Sequence, residues 1–265
     1  MINKVIHYCW FGGKPLDDKA KKCLESWQLF FPDYQIIQWN ESNFDITRVD
    51  FMEKAYKNKK WAFVSDVARL LIVYEHGGIY FDTDVEVIRS YDDILDCDTK
   101  AFFGIENDGY VNSGLGFGAE KSHPFLKMLI EVYEKLDFES YKDHISDVAC
   151  PLITTTLLEK VGFIKENRRQ SVNGIEIYPT AFFAPMDYQT GKVKKTAMTH
   201  SIHWYNASWQ DEVVKHEQEC LRRFNAIFGV KLAEPMYGIL SCIKNEGIFY
   251  YMKHRIMKLF GRKVK

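Results

Sequence analysis

The chain has 265 residues, of which 46% are hydrophobic, 27% charged and 15% aromatic. That much apolar material offsets chain entropy and excludes a chain disordered as a whole, and the length favours one large domain over two small ones. A formal net charge of -1 excludes a chain drawn as a whole to nucleic acid or another acidic polymer. Val5–Trp10 is a β-favouring run closed by Gly12-Gly13, which predicts a strand and a turn. Asp17–Phe30 carries Ala20, Leu24, Trp27 and Phe30 at helical spacing and is broken by Pro32 and Asp33. Tyr34–Trp39 predicts a second strand. Trp61–His76 predicts a helix stopped by Gly77-Gly78, where a left-handed cap needs glycine. Ile79–Phe81 and Ala101–Ile105 predict the next strands, Pro124–Leu136 and Ile153–Lys160 helices, and Ile175–Tyr178 and Met198–Trp204 late strands. This alternation predicts an α/β fold with a largely parallel sheet.

The N-terminal stretch MINKVIHYCWFGG has no long apolar run and no cleavage pattern, so no secretory signal is expected. No run of about 18 apolar residues suggests a membrane span. Cys9, Cys23, Cys97, Cys150, Cys220 and Cys242 form no C-x-x-C pair, which argues against a zinc knuckle or redox motif and for reduced thiols in a cytoplasm. The tail, YMKHRIMKLFGRKVK over 251–265, holds six Lys/Arg and no acid. Its Met252, Ile256, Leu259 and Phe260 share one helical face. It reads either as a terminal helix packed on the body or as an anchor for anionic lipid headgroups.

The chemistry concentrates in WAFVSDVARLLIVYEHGGIYFDTDVEV, residues 61–87. Asp82 and Asp84 form an Asp-x-Asp pair after an apolar strand, where alternation puts both on one face. Two carboxylates that close repel unless a cation lies between them, and Mg²⁺, a hard ion often shared with phosphate, suits such ligands. The other reading is an exposed turn with two solvated aspartates. Asp66 and Arg69 lie three apart on the preceding helix and share a face with Ala62 and Val73, so their pair faces the interior or a cleft. It serves either to orient the helix or to meet a phosphate or sugar hydroxyl. Trp10, before two glycines, is a core tryptophan or a platform for a nucleobase. In YVNSGLGFGA, residues 110–119, the glycines permit close backbone approach to a ligand or form a hairpin, and Asn112 is the polar side chain best placed to address a sugar. THSIHWYNASW, residues 199–209, offers His200, His203, Ser208 and Trp209, with a histidine after a late strand able to complete a metal site.

Taken in order, IHYCWFGGKPL, SW…FPDY…WNESNFD, AFVSDVARLLIVYEHGGIYFDTDVEV, NSGLGFGAEKSHP and IHWYNASW resemble bacterial members of the family 32 glycosyltransferases. That family is similar to the yeast α-mannosyltransferases and, more distantly, to the catalytic domains of clostridial toxins. The basic tail predicts a helical extension over 231–265, and the resemblance implies a GT-A fold over 1–230, with a nucleotide-sugar-binding part in about 1–120 and an acceptor-binding part in about 121–230. It implies retaining transfer from a nucleoside-diphosphate sugar, UDP favoured, to a glycan or lipid-linked acceptor in surface polysaccharide synthesis, with no nucleic-acid partner. The enzyme would work at the inner face of the cytoplasmic membrane, touching it through 251–265. By resemblance, Trp10 would stack the donor base, Asp66 and Arg69 would touch the donor, Asp82 would face ribose and metal, and Asp84 would bind Mn²⁺ or Mg²⁺ directly. Asn112 would line the sugar pocket, His203 would contact metal or diphosphate, and Trp209 would close over the donor. Relatives often carry a second histidine where this chain has Trp204, which keeps His200 as the alternative to His203. Two other readings are a haloacid-dehalogenase-type phosphatase, whose D-x-D motif has Thr or Val where Glu86 stands here, and an inactive carbohydrate-binding scaffold.

Overall fold

A computed structural model describes residues 1–96, 98–141, 144–207, 212–232 and 235–238. They fall in two units, one drawn from Met1–Met186 with Lys194–Trp209 and one from Asp187–Val193 with Gln210–Lys265.

The first unit opens with strand β1 (Val5–Cys9), helix α1 (Asp18–Phe30) and strand β2 (Gln35–Trp39). Asp17 starts α1 by accepting the Ala20 N–H at 2.8 Å, satisfying one of the helix's orphan donors. Helix α2 (Asp50–Lys57) leads to α3 (Trp61–His76), where Val67 through Val73 are all buried, so this helix lies inside the unit. Gly77 ends α3 at φ +65°, its N–H reaching the Val73 carbonyl at 2.8 Å. Strand β3 (Gly78–Tyr80) starts so close to β1 that a Cβ on Gly78 would stand 2.6 Å from the Val5 carbonyl oxygen. Then come β4 (Val85–Val87), β5 (Ala101–Ile105), β6 (Val111–Asn112) and β7 (Phe117–Ala119). Helices α4 (Pro124–Lys135), α5 (Phe138–Tyr141) and α6 (Cys150–Lys160) precede β8 (Gln170–Val172), β9 (Ile175–Tyr178), α7 (Thr180–Phe183) and β10 (Ser201–His203).

The main sheet has the order β2-β1-β3-β7-β5-β9-β8, with β6 also on β5. β2, β1, β3, β5 and β9 run one way; β7, β6 and β8 oppose their neighbours. The sheet is thus mixed, with most strands parallel in direction. Alternation along the strands sends Ile6, Tyr8, Ile79 and Phe102 into one core with Trp27 of α1, and Cys9, Tyr80 and Phe103 into another with α2, α3 and α4. Helices therefore cover both faces, the arrangement that α/β patterning demands. β4 and β10 form a separate antiparallel pair in which Val85 faces His203 and Val87 faces Ser201.

One expectation needs correcting. Asp82 and Asp84 do not sit on a strand; they lie in the turn between β3 and β4, where the Val85 N–H meets the Asp82 carbonyl at 3.0 Å. A turn, rather than strand alternation, brings them together.

In the second unit, helix α8 (Glu212–Phe228) holds the 187–193 segment through Asn225 Nδ2 to the Gln189 carbonyl at 2.9 Å and Arg222 Nε to the Tyr188 carbonyl at 3.1 Å. The tail expected to act over 251–265 lies outside the described residues. Among the described residues no helix is long and apolar enough to cross a membrane.

Candidate functional site

β1 and β3 are parallel, so their C-terminal ends, with Trp10 and the Asp82 turn, lie at the same end of the sheet. Ligands of open α/β sheets sit at such strand ends. The anchor of the site is Arg69 on α3, with its side chain only 4% exposed. Its Nη2 lies 2.6 Å from Asp66 Oδ1 and 3.4 Å from Asp82 Oδ1, its Nε donates to the Ser65 carbonyl at 3.1 Å, and its Nη1 to Ser113 Oγ at 3.4 Å. The guanidinium also lies 5.0 Å from the centre of the Tyr80 ring. Tyr80 in turn donates its hydroxyl to Asp82 Oδ1 at 2.9 Å. One arginine so bridges two acids, which offsets the large cost of burying its charge.

Asp84 points the other way along the turn. Its Oδ1 meets His203 Nε2 at 3.0 Å and its Oδ2 accepts the Asn206 N–H at 2.8 Å. β4–β10 pairing makes this possible by setting His203 opposite the residue after Asp84. Asp82, Asp84 and His203 each offer a ligand atom, and these atoms lie within 4.8 Å of one another.

Electrostatics separate the two aspartates. Burial raises the Asp82 pKa, with Arg69 opposing. Burial would raise Asp84 too, but the His203 imidazole and the hydrogen bonds it receives hold it below the ordinary carboxylate value. His203 is raised: burial lowers it, and Asp84 more than reverses this. Asp66 is pushed up to about 6 by burial, against the pull of Arg69.

Two carboxylates and an imidazole, all converging, form a donor set that could hold a divalent cation. One further observation fits. His203 Nδ1 is buried without a hydrogen-bond partner, so among the described residues the ring's hydrogen bond is to Asp84. The backbone also closes on the cluster at Gly114, where a Cβ would stand 2.5 Å from Asp82 Oδ2, 3.0 Å from Asn112 Oδ1 and 3.1 Å from Arg69 Nη1.

Of the residues expected from sequence, Asp66, Arg69, Asp82, Asp84 and His203 come together. Trp10 ends the neighbouring strand and donates Nε1 to the Lys14 carbonyl at 2.5 Å. Asn112 reaches the cluster through Gly114, but its side chain is engaged, Oδ1 accepting the Gly114 N–H at 2.7 Å and Nδ2 donating to Glu106 at 2.9 Å. His200 is drawn elsewhere: Nδ1 pairs with the Met198 carbonyl and Nε2 with Asp93, both at 2.7 Å, and the ring stacks on Phe182. Trp209 lies outside the described residues. Gly114 belongs to the 110–119 stretch whose glycines allow close backbone approach; Tyr80, Ser113 and Glu106 were not anticipated. Of these only Tyr80, two residues before Asp82, had a signal in spacing.

Residues 17–100 match the family described as "Glycosyltransferase sugar-binding region containing DXD motif". The chain is 26% identical over 153 residues to inositol phosphoceramide mannosyltransferase 3 of Schizosaccharomyces pombe, covering 55% of this chain and 41% of that protein. It is 28% identical over 133 residues to lactosylceramide 4-alpha-galactosyltransferase of Rattus norvegicus, covering 49% and 33%. The matched region thus spans less than half the length of these curated relatives. In structure it is similar to the PaToxG glycosyltransferase, with a TM-score of 0.51 at 17% identity over 60% of this chain and 69% of that one. The Asp-x-Asp turn lies inside the stretch that is similar to this DXD-containing glycosyltransferase family, and the chain has the GT-A fold.

Proposed function

We propose that this chain is a divalent-metal-dependent, retaining hexosyltransferase that moves a sugar from a nucleoside-diphosphate sugar, UDP favoured, to a glycan or lipid-linked acceptor in surface polysaccharide synthesis. The observation that carries the reading is the convergence of Asp82, Asp84 and His203 beside the buried Arg69. The relatives named above act on ceramide-linked acceptors, which supports a lipid-linked one here. The bacterial setting and UDP rest on the sequence resemblance. So does the catalytic body over 1–230, with its acceptor part in about 121–230, while the extension over 231–265 rests on the basic composition of the tail. The basic composition of 251–265 supports work at the inner face of the cytoplasmic membrane.

Asp82, Asp84 and His203 would hold Mn²⁺ or Mg²⁺, which when bound supplies Lewis-acid stabilisation of the departing diphosphate. Arg69 adds a fixed positive charge at the same end of the sheet, and such a preorganised group is worth roughly 3–4 kcal/mol in the transition state. Asp66 and Tyr80 hold Arg69 and Asp82 in place, so little reorganisation is needed as charge develops. In the reaction the bond from the anomeric carbon to the phosphate oxygen breaks. A bond from the acceptor oxygen forms on the same face, and the acceptor proton passes to the departing phosphate. A donor complex with a carboxylate within about 3.2 Å of the anomeric carbon on its far face would refute this route.

A panel of nucleotide sugars tested for Mn²⁺-dependent thermal shift identifies the donor, because a ligand at a hundred times its Kd adds about 2.7 kcal/mol of stability. Asp84→Ala is expected to abolish transfer with the fold intact, and full activity in that variant would overturn the site.

A further inference from the structure

We infer that Glu106 reads a hydroxyl of the transferred sugar, taking the place that the sequence pattern points to in Asn112. The inference rests on the proposed transferase function and names a residue of its donor site.

Glu106 directly follows β5, which runs in the same direction as β3, so it emerges at the sheet end that carries Asp82. Its backbone is pinned on both sides: its N–H donates to the Tyr110 carbonyl at 2.8 Å, and its carbonyl accepts the Gly109 N–H at 2.9 Å. Gly109 closes this turn at φ +78°, a conformation that favours glycine. The side chain is steadied by Asn112, whose Nδ2 donates to Glu106 Oε2 at 2.9 Å.

Asn112 has little left to offer a ligand, because the Gly114 N–H occupies its other end at 2.7 Å. Oε1 of Glu106 has no hydrogen bond among the described residues, while the residue is half-buried. The carboxylate is near the cation cluster without belonging to it. Asn112 Oδ1 and Asp82 Oδ2 both lie within 3.0 Å of the point a Gly114 Cβ would occupy, yet Glu106 is not part of the Asp82–Asp84–His203 group. Burial raises its pKa, Asn112 opposing, so the group stands in a low-dielectric setting where hydrogen bonds strengthen. A rigid carboxylate one side chain from a diphosphate-type cation site suits the adjacent hydroxyls of a sugar, which donate where phosphate cannot.

Glu106→Gln tests this. The amide oxygen can keep the Asn112 contact while the outward atom changes from acceptor to donor. Isothermal titration would compare wild type and variant with Mn²⁺ plus UDP or GDP alone, and with Mn²⁺ plus a panel of UDP- and GDP-hexoses. The expected result is nucleotide binding within about twofold of wild type and binding of the preferred nucleotide sugar weaker by about tenfold to a hundredfold, the range for a lost charged hydrogen bond. Equal effects on nucleotide and nucleotide sugar, or none on either, would overturn the assignment. So would a sugar covalently attached to Glu106 on mass spectrometry, which would make it a nucleophile. A wild-type protein that binds no nucleotide and no nucleotide sugar would overturn the transferase function itself, and this inference with it.

Discussion

Gly114→Ala probes the site without removing any polar group from it. Gly114 lies in a short 3-10 turn, Ser113–Leu115, and its φ is outside the left-handed region, so alanine can adopt the backbone. The effect is therefore steric. The new methyl would sit 2.5 Å from Asp82 Oδ2, and 3.0 and 3.1 Å from Asn112 Oδ1 and Arg69 Nη1. Restoring ordinary contact requires the carboxylate to move by roughly 0.5–1 Å in a close-packed setting. Asp82 cannot move alone, since Tyr80 and Arg69 both hold its Oδ1. Overpacking of this kind costs about 1–3 kcal/mol of stability, partly offset by about 0.4–1 kcal/mol from the stiffer unfolded chain. Activity should fall further than stability, because a displacement near 1 Å can cost about a hundredfold in rate. The assay is sugar transfer with the donor found by thermal shift, alongside Mn²⁺ affinity by electron paramagnetic resonance and calorimetric melting. Wild-type rate and Mn²⁺ affinity in the variant would refute the placement of Asp82 beside Gly114 or its part in the site.

Mn²⁺ affinity should fall with acidity. The His203 pKa is raised by Asp84 despite burial, so below that raised value the ring holds a proton that ligation must expel; Mn²⁺ binding should weaken as pH drops through it and level off above it. Binding titrations between pH 5.5 and 8.5 (about the range where an imidazole titrates) check this, and a flat profile would refute the His203 ligand. His200→Ala should lose about 2–4 kcal/mol of stability, because the Met198 carbonyl, Asp93 and the stacked Phe182 all lose their partner, with Mn²⁺ affinity unchanged. A large loss of Mn²⁺ affinity there would return His200 to the metal site. Deleting residues 251–265 should release the protein from vesicles of anionic lipid, measured by sedimentation, and unchanged binding would remove the anchor.

The legible parts of this molecule were those with local chemical signatures. The helix over Asp17–Phe30 and the stop of α3 at Gly77 each follow from a few neighbouring residues. So does the Asp66–Arg69 pair, which helical spacing alone places on one face. β4, β6 and β7 were not legible, because each spans two or three residues and exists through pairing with strands distant in sequence. Glu106 escaped for the same reason: an acid in a polar stretch reads as solvated until β5 and Asn112 are seen to fix it. The Asp-x-Asp spacing is legible in the sequence, but a turn, not strand alternation, brings the two carboxylates together.

Asp84 has a second task that a substitution series can isolate. β4 and β10 are three residues each, and a lone two-stranded pair is marginal in water. α1 supports it through Trp27 Nε1 to the Val85 carbonyl at 2.7 Å and Ser26 Oγ, which accepts the Val87 N–H at 3.0 Å. Beyond β10 the backbone turns back at Tyr205, φ +49°, and Ala207, φ +43°, both left-handed without being glycine, a conformation that costs of order 1–3 kcal/mol each. Asp84 steadies this return twice, its carbonyl accepting the Trp204 N–H at 3.0 Å and its Oδ2 the Asn206 N–H at 2.8 Å. Asp84→Ala therefore removes the proposed cation ligand and a loop anchor together. Asp84→Asn keeps an oxygen for Asn206 and gives up the charge. Without metal, Asp84→Asn should protect the Asn206 amide from hydrogen exchange nearly as wild type does, whereas Asp84→Ala should not. Both should lose Mn²⁺ binding and transfer. If the two variants exchange alike at Asn206, the anchor contributes nothing, and the left-handed return must be held by other contacts.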